Sequence, residues 1–236
     1  MPPQHNANAT LTPPAPHGSV GASASGPLEA EAAQVRTRDR VRELAEVFTH
    51  KREVDAMLDM MPAAFTEVDT KFLEPACGSG NFLVEILRRK LSLVGLDDYE
   101  TQEPFEFDLL RSAASIYGVD ISEQNVVEAR ARCAQVLTHR YHRQGPNITP
   151  SAAFENAAVL ILHSNIVLGD SLNAAETIEL CDWQPHPGGR FQRVWSQALV
   201  PESEQDLFSI ERVQDPEPVH FSNLGMELPE GSVRLP

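Results

Sequence analysis

Hydrophobic positions recur at two spacings along this chain, and the change of spacing separates helices from strands. Between about Glu31 and Val47, with Phe48 just beyond, Val41, Leu44, Ala45 and Phe48 fall at helical intervals among charges, which predicts a charged amphipathic helix. Val54, Met57, Leu58 and Met61 then recur at i, i+3, i+4 and i+7, one buried face of a second helix. Thr49 is placed as its N-cap, and Pro62 helps to end it. Lys71 to Glu74 reads as a short strand. Asn81 to Leu91 reads as a helix with Phe82, Leu83, Ile86, Leu87 and Leu91 on its apolar stripe. Arg88, Arg89 and Lys90 fall in its last turn, where positive charge suits the helix dipole, and read as a solvated end. Residues 93–110 form an acidic insertion that turns helical toward Arg111 to Ala114. Ile116 to Asp120 is a buried-strand candidate. Ser122 caps a long helix to about Arg143, with Val126, Val127, Val136 and Leu137 inward, and Gly145-Pro146-Asn147 breaks it. A helix from Ser151 to Leu162 precedes a strand from Asn165 to Leu168.

Strand and helix alternate, which argues for an α/β fold with a parallel sheet and helices on both faces. The pattern changes after Gly169-Asp170. Ile178 to Gln184 and Arg190 to Ser196 flank Pro185-His186-Pro187-Gly188-Gly189 and read as two strands joined by a turn. Equally, Phe191 to Ser196 reads as a fourth strand of the sheet, with Gln197-Ala198-Leu199-Val200 as the loop after it. Residues 1–30 lack periodicity and read as a flexible tail; 31–200 form the ligand-binding domain. Residues 201–236 form an acidic, Pro-rich tail with eight acids against two arginines, expected to be poorly ordered or to dock on a protein partner.

Composition narrows the setting. No run of about 18 apolar residues exists, so no membrane span is expected. The first basic residue is Arg36, so the positive flank of a secretory signal is missing. Cys77, Cys133 and Cys181 are odd in number and form no C-x-x-C pair, which argues against a metal site or disulfide framework and for a reducing cytoplasm. The net charge of −15 opposes general contact with phosphate backbones. Action on DNA would require a local basic patch or a basic partner. Arg130, Arg132, Arg140 and Arg143 form a stripe on one helix, read as a solvated face.

Three segments carry candidate chemistry. In Phe72 to Leu83 a strand enters a Gly-rich turn that opens a helix. Gly78 and Gly80 permit backbone angles and close approach that a side chain would block. The N–H groups at the helix start then face an anionic group, while Glu74 is placed to receive an ammonium. A ligand bearing both a carboxylate and an ammonium fits. Asp120, at the end of Ile116-Tyr117-Gly118-Val119-Asp120-Ile121, is placed to bind the two hydroxyls of a ribose. Asp170, in Gly169-Asp170-Ser171-Leu172, is placed to accept from an adenine amino group.

In this order the segments resemble the adenine-specific DNA methyltransferases of restriction-modification systems. Glu74-Pro75-Ala76-Cys77-Gly78-Ser79-Gly80-Asn81-Phe82-Leu83 is similar to that family's (D/E)-P-A-C-G-S-G-x-F-L signature. Phe48-Thr49 is similar to its F-T-P segment, with His50 where proline is usual. The resemblance covers about residues 40–172. It implies a Rossmann-like, doubly wound methyltransferase domain, complete or cut short after the third or fourth strand. It further implies S-adenosylmethionine held by Thr49, Glu74, Ala76, Gly78, Gly80, Asp120, Ile121, Asp170 and Ser171.

The family's catalytic (N/D/S)-P-P-(Y/F/W) tetrapeptide has no counterpart. The chain's Pro-Pro pairs are Pro2-Pro3 and Pro13-Pro14, both ahead of the Gly-rich turn. Gln197 is the remaining candidate for an acceptor in a catalytic loop, and Trp183 or Trp195 for a base-stacking aromatic, although both tryptophans also read as packing residues. Three functions follow from the resemblance. One is methylation of the adenine amino group in DNA, in a restriction-modification or defence setting, with target specificity supplied by a partner subunit. The second is a cofactor-binding module, or half of a split enzyme, with a regulatory or assembly role. The third is methylation of another acceptor through a rearranged loop around Gln197.

Overall fold

A computed structural model describes residues 49–144, 148–197 and 213–224. The expected N-terminal tail and first helix, the Gly145-Pro146-Asn147 break and most of the C-terminal tail lie outside the described residues.

Helix α1 spans Lys51–Leu58 and is followed by a 3-10 turn, Pro62–Phe65. Strand β1 (Phe72–Glu74) leads into α2 (Asn81–Leu91). Helix α3 (Gln102–Ala114) precedes β2 (Ile116–Asp120), α4 (Glu123–His142) follows it, and α5 (Ala152–Asn165) runs directly into β3 (Ile166–Leu168). The three strands form a parallel sheet in the order β1-β2-β3, with Glu74 opposite Gly118 and Asp120 opposite Leu168. All three carboxyl ends therefore lie at one edge of the sheet. An α/β architecture with a parallel sheet is thus present.

Pleating assigns the two faces of β2. A Cβ at Gly118 would lie 2.6 Å from Leu83 Cδ1 and 3.0 Å from Cys77 Sγ, so this face carries α2 at contact distance. The alternate residues Tyr117 and Val119 cluster instead with Ile178 and Leu180. At that point the second face is met by a strand segment and not by a helix.

That segment belongs to a second sheet, in the order β4-β5-β6, built from β4 (Leu180–His186), β5 (Arg190–Ser196) and β6 (Val219–His220). β4 and β5 are antiparallel, and Gly188 and Gly189 turn the chain at φ 75° and 69°. The hairpin reading of 178–196 holds, and Phe191 to Ser196 is not a fourth parallel strand. One side of the hairpin is the buried one: Cys181, Trp183, Phe191 and Val194 are buried, while Asp182, Gln184, Gln192 and Arg193 are not. Residues 213–224, placed in the acidic tail, close this sheet. Trp195 donates its N–H to the Val213 carbonyl, Arg193 pairs with Asp215 at 2.9 Å, and Phe221 is buried in α6 (Phe221–Leu224).

Several local expectations shift for identifiable reasons. His50, not Thr49, is the N-cap of α1, because Glu53 reaches back to the His50 N–H at 3.0 Å. Val54 and Leu58 are buried, but Met57 and Met61 are 48% and 45% exposed. Val127 is likewise exposed, at 52%. The acidic insertion holds a full helix, α3, because Phe105, Leu109, Leu110 and Ala113 make one buried face beneath its acids. Lys90 is buried instead of solvated. The arginine stripe on α4 is also not free: Arg130 holds the Ile166 carbonyl at 2.8 Å, and Arg140 holds that of Val94.

Candidate functional site

The Gly-rich turn is shaped by contacts with β2 and α4. Gly80 sits at the N-cap of α2 in a left-handed conformation, φ 86°. A Cβ there would lie 2.9 Å from Ala129 Cβ, so the turn packs directly onto α4. Gly78, at φ 53°, has no atom within 4 Å of its Cβ direction and faces open space. The two glycines therefore serve different ends: one admits a neighbouring helix, and the other leaves room above the turn.

Hydrogen bonds join the three strand ends. Gly78 N–H donates to Asp120 Oδ2 at 2.8 Å, and Cys77 N–H to the Val119 carbonyl at 2.9 Å. Gly169 N–H donates to the Asp120 carbonyl at 3.0 Å, and Ser171 Oγ to the Pro75 carbonyl at 2.7 Å. Sequence positions 75, 78, 120, 169 and 171 thus form one connected ledge. Thr49 is tied to it through Asn81, whose Nδ2 donates to the Thr49 carbonyl at 3.0 Å.

The acids differ in their remaining capacity. Asp120 Oδ1 accepts from Ser122 N–H at 2.9 Å and Asn125 Nδ2 at 3.1 Å, so with Gly78 the carboxylate uses three of roughly four acceptor positions. Asp170 accepts from Leu172 N–H and Asn173 N–H, each at 3.0 Å, and from Asn173 Nδ2 at 2.8 Å. The Asn173 side chain, with these backbone donors, holds the Asp170 carboxyl below its usual range. Glu74 is half-buried and accepts only a long bond from Ala76 N–H, 3.3 Å; burial raises its carboxyl above the usual range. Cys77 is buried and its thiol is pushed up to about 12 by burial, so it stays protonated and is no nucleophile at neutral pH. Among the described residues no group of His, Cys, Asp and Glu could hold a metal ion.

Two apolar side chains stand out against this polar ledge. Ile121, just past β2, is 64% exposed, and Leu172, just past β3, is 91% exposed. Sequence reading named Ile121 and missed Leu172. It also missed Asn81, which stands at the variable position of the motif, Asn125, and Arg132, which belongs to the stripe read as a solvated face of its helix.

Gln197 does not join the site as a catalytic loop residue would. It follows antiparallel β5, and its amide donates to the Glu176 carbonyl at 2.7 Å. Trp183 is buried edge-on against Phe191 and donates to Asn165 Oδ1 at 2.9 Å, so packing accounts for it. No family model, curated protein or solved structure matches this chain.

Proposed function

We propose that the ledge at the carboxyl ends of β1, β2 and β3 binds S-adenosylmethionine within a Rossmann-like, doubly wound domain. The observation that carries this reading is the juncture of Gly78 with Asp120, which sets an open glycine turn beside an acid at the end of the neighbouring parallel strand. Ligands of open α/β sheets bind at the carboxyl ends of the strands, and an acid in this position suits a ribose diol. Asp120 keeps about one acceptor position for it beyond the three already used. Ile121 and Leu172 offer exposed apolar surface at two strand ends for an adenine, with Asp170 and Ser171 beside Leu172. Glu74 has no cationic partner among the described residues and is placed for an ammonium; Thr49, Ala76, Gly78 and Gly80 frame the turn. When bound, the cofactor supplies an electrophilic methyl group.

Adenine in DNA is the acceptor to which the Glu74 to Leu83 signature points, in a restriction-modification or defence setting. An adenine amino nitrogen is a poor nucleophile, so catalysis rests on acceptors that orient it and on a stacked, extruded base. With a net charge of −15, engagement of DNA calls for a basic partner that carries target specificity. A second reading is favoured by one observation: β5 pairs antiparallel with β4 in a separate sheet, so Gln197 does not follow a fourth strand of the parallel sheet, where a catalytic acceptor would stand. On that reading the chain is a cofactor-binding module, or half of a split enzyme.

Calorimetry with S-adenosylmethionine and S-adenosylhomocysteine tests the site. Binding is expected, with Asp120→Ala abolishing it; no binding of either ligand to the wild-type chain overturns both readings. Transfer of a labelled methyl group to DNA then separates them. Transfer supports the enzyme, whereas binding without transfer to DNA, RNA or protein supports the module.

A further inference from the structure

We propose that Arg132 is the positioning residue that sets the Gly-rich turn and, through Asn81, the Thr49 segment, so that both meet a bound cofactor in one geometry. This rests on the reading of the ledge as a cofactor site.

One guanidinium nitrogen of Arg132 reaches three acceptors on the turn. Nη1 donates to the Ser79 carbonyl at 2.7 Å, to Ser79 Oγ at 3.1 Å and to Asn81 Oδ1 at 2.8 Å. All three are neutral oxygens, and no carboxylate lies within ion-pair distance of Arg132 among the described residues. Among the described residues the arginine is therefore not one half of a salt bridge. Its charge is aimed at the outer side of the turn whose glycines define the ledge.

Asn81 carries the effect onward. Its Oδ1 accepts from Arg132 while its Nδ2 donates to the Thr49 carbonyl at 3.0 Å, which fixes the amide in one orientation. Arg132, Asn81 and Thr49 thus form a relay from α4, across the start of α2, to the residue before the N-cap of α1. One turn earlier on α4, Ala129 lies against Gly80. The same helix face thereby sets Gly80 by contact and Ser79 and Asn81 by hydrogen bonds. Other arginines of α4 act elsewhere: Arg130 holds the Ile166 and His163 carbonyls, and Arg140 holds that of Val94.

Beside the relay lies a cavity of about 240 Å³, lined by Thr49, His50, Lys51, Asn81, Arg88 and Arg132 among others. The cations Lys51 and Arg88 there are partly met by Glu85, each at 3.5 Å. Arg132 has no such partner among the described residues, and its field favours negative charge near the turn, the sign of the carboxylate end of the proposed ligand.

The test compares Arg132→Met, which keeps the apolar stem but no donors, with Arg132→Lys, which keeps charge and donors. Hydrogen exchange in the cofactor-free protein is the first readout. In Arg132→Met the amides of Ser79 to Phe82 and of His50 to Val54 should exchange faster, and those of the β4–β5 hairpin should be unchanged. Arg132→Lys should restore most of the protection. Asn81→Leu, which cuts the relay at its middle, should give the same pattern in the Thr49 segment. Calorimetry is the second readout: loss of a charge-assisted bond predicts S-adenosylmethionine binding roughly tenfold or more weaker in Arg132→Met, with partial recovery in Arg132→Lys. Unchanged exchange around the turn in a folded Arg132→Met overturns the proposal. So does cofactor affinity equal to wild type. If wild type binds no cofactor yet exchange responds as expected, the relay stands and the cofactor reading falls.

Discussion

The Lys90 ammonium donates to the Ser115 hydroxyl at 2.8 Å in a fully buried position. It also donates to the Val68 carbonyl at 2.8 Å and to that of Thr70, and it lies 5.2 Å from the centre of the Phe72 ring. The lysine pins the segment that leads into β1 onto the start of β2. Burial lowers its pKa from the ordinary 10.5 to about 8, with Asp69 pulling the other way. Below that value it is charged in both the folded and the unfolded chain. Between about 8 and 10.5 the folded form has released the proton while the unfolded form keeps it. The unfolded state then binds more protons, so this group makes stability rise with pH across the window, by up to about 3 kcal/mol. Urea unfolding of wild type and Lys90→Met from pH 7 to 11 checks it. The variant should be less stable at pH 7, because it leaves buried carbonyls unpaired, and the rise attributable to Lys90 should vanish from the difference between the two.

Gly80 and Gly78 should respond differently to alanine. Gly80→Ala combines left-handed strain with a methyl 2.9 Å from Ala129 Cβ, for a loss of about 2–4 kcal/mol. Adding Ala129→Gly should recover only part of the steric loss, because Ala129 Cα still lies 3.1 Å from the added methyl and a glycine inside α4 itself costs about 1 kcal/mol. Gly78→Ala meets no atom within 4 Å and should cost only the strain, about 1–2 kcal/mol. On the proposed function it should nonetheless weaken S-adenosylmethionine binding, since the added methyl enters the space above the turn. Thermal unfolding and calorimetry on the same three proteins give both quantities.

Glu106 is a buried carboxylate that fastens three helices. Its Oε1 accepts from Tyr141 Oη at 2.9 Å, Ser151 N–H at 2.7 Å and Gln102 Nε2 at 3.0 Å, and its Oε2 from Ser151 Oγ at 2.7 Å. Glu106→Leu strands the Tyr141 hydroxyl and the Ser151 N–H, and should cost about 3 kcal/mol or more. Glu106→Gln retains one acceptor and should cost roughly half as much. A denaturant midpoint no lower in Glu106→Leu than in wild type would show that this network is not a stability determinant.

Legibility in the sequence followed the kind of signal each residue gives. β1, α2, β2 and α4 were visible because Leu83, Ile86, Leu87 and Val126 repeat at the spacing of their element and all are buried. The hairpin competed with a fourth parallel strand because a short apolar run has no direction; only pairing with β4 reveals it as antiparallel. Charge was the misleading signal. Lys90, Glu106, Arg130 and Arg132 were read as solvated or passed over, and each instead holds oxygens or N–H groups of other elements. Their partners lie 20 to 53 residues away in sequence, and no local pattern can announce that. At the candidate site the glycines and acids were legible because turn geometry demands them. Asn81 and Arg132 were not, since their partners are set only once α4 packs on the turn.

Glu74 links the proposed ligand to pH. It is half-buried, has no cationic partner among the described residues, and its carboxyl is raised by burial, with the Ala76 N–H pulling the other way. An ammonium group placed against it would favour the ionised form. Proton and ligand therefore compete for one carboxylate: S-adenosylmethionine affinity should weaken on acidification as the pH falls into the raised range of Glu74. Asp170 does not produce the same decline there, because its hydrogen bonds from Asn173 keep it ionised to lower pH. Glu74→Gln should bind roughly tenfold more weakly at pH 7.5, where it has lost a charged acceptor. Its affinity should then lack the acid decline expected in wild type, since no proton competes at an amide. Calorimetric titrations of both proteins at several pH values decide the matter. An equal acid decline in Glu74→Gln would assign the competition to another group and remove Glu74 from the ammonium end of the site.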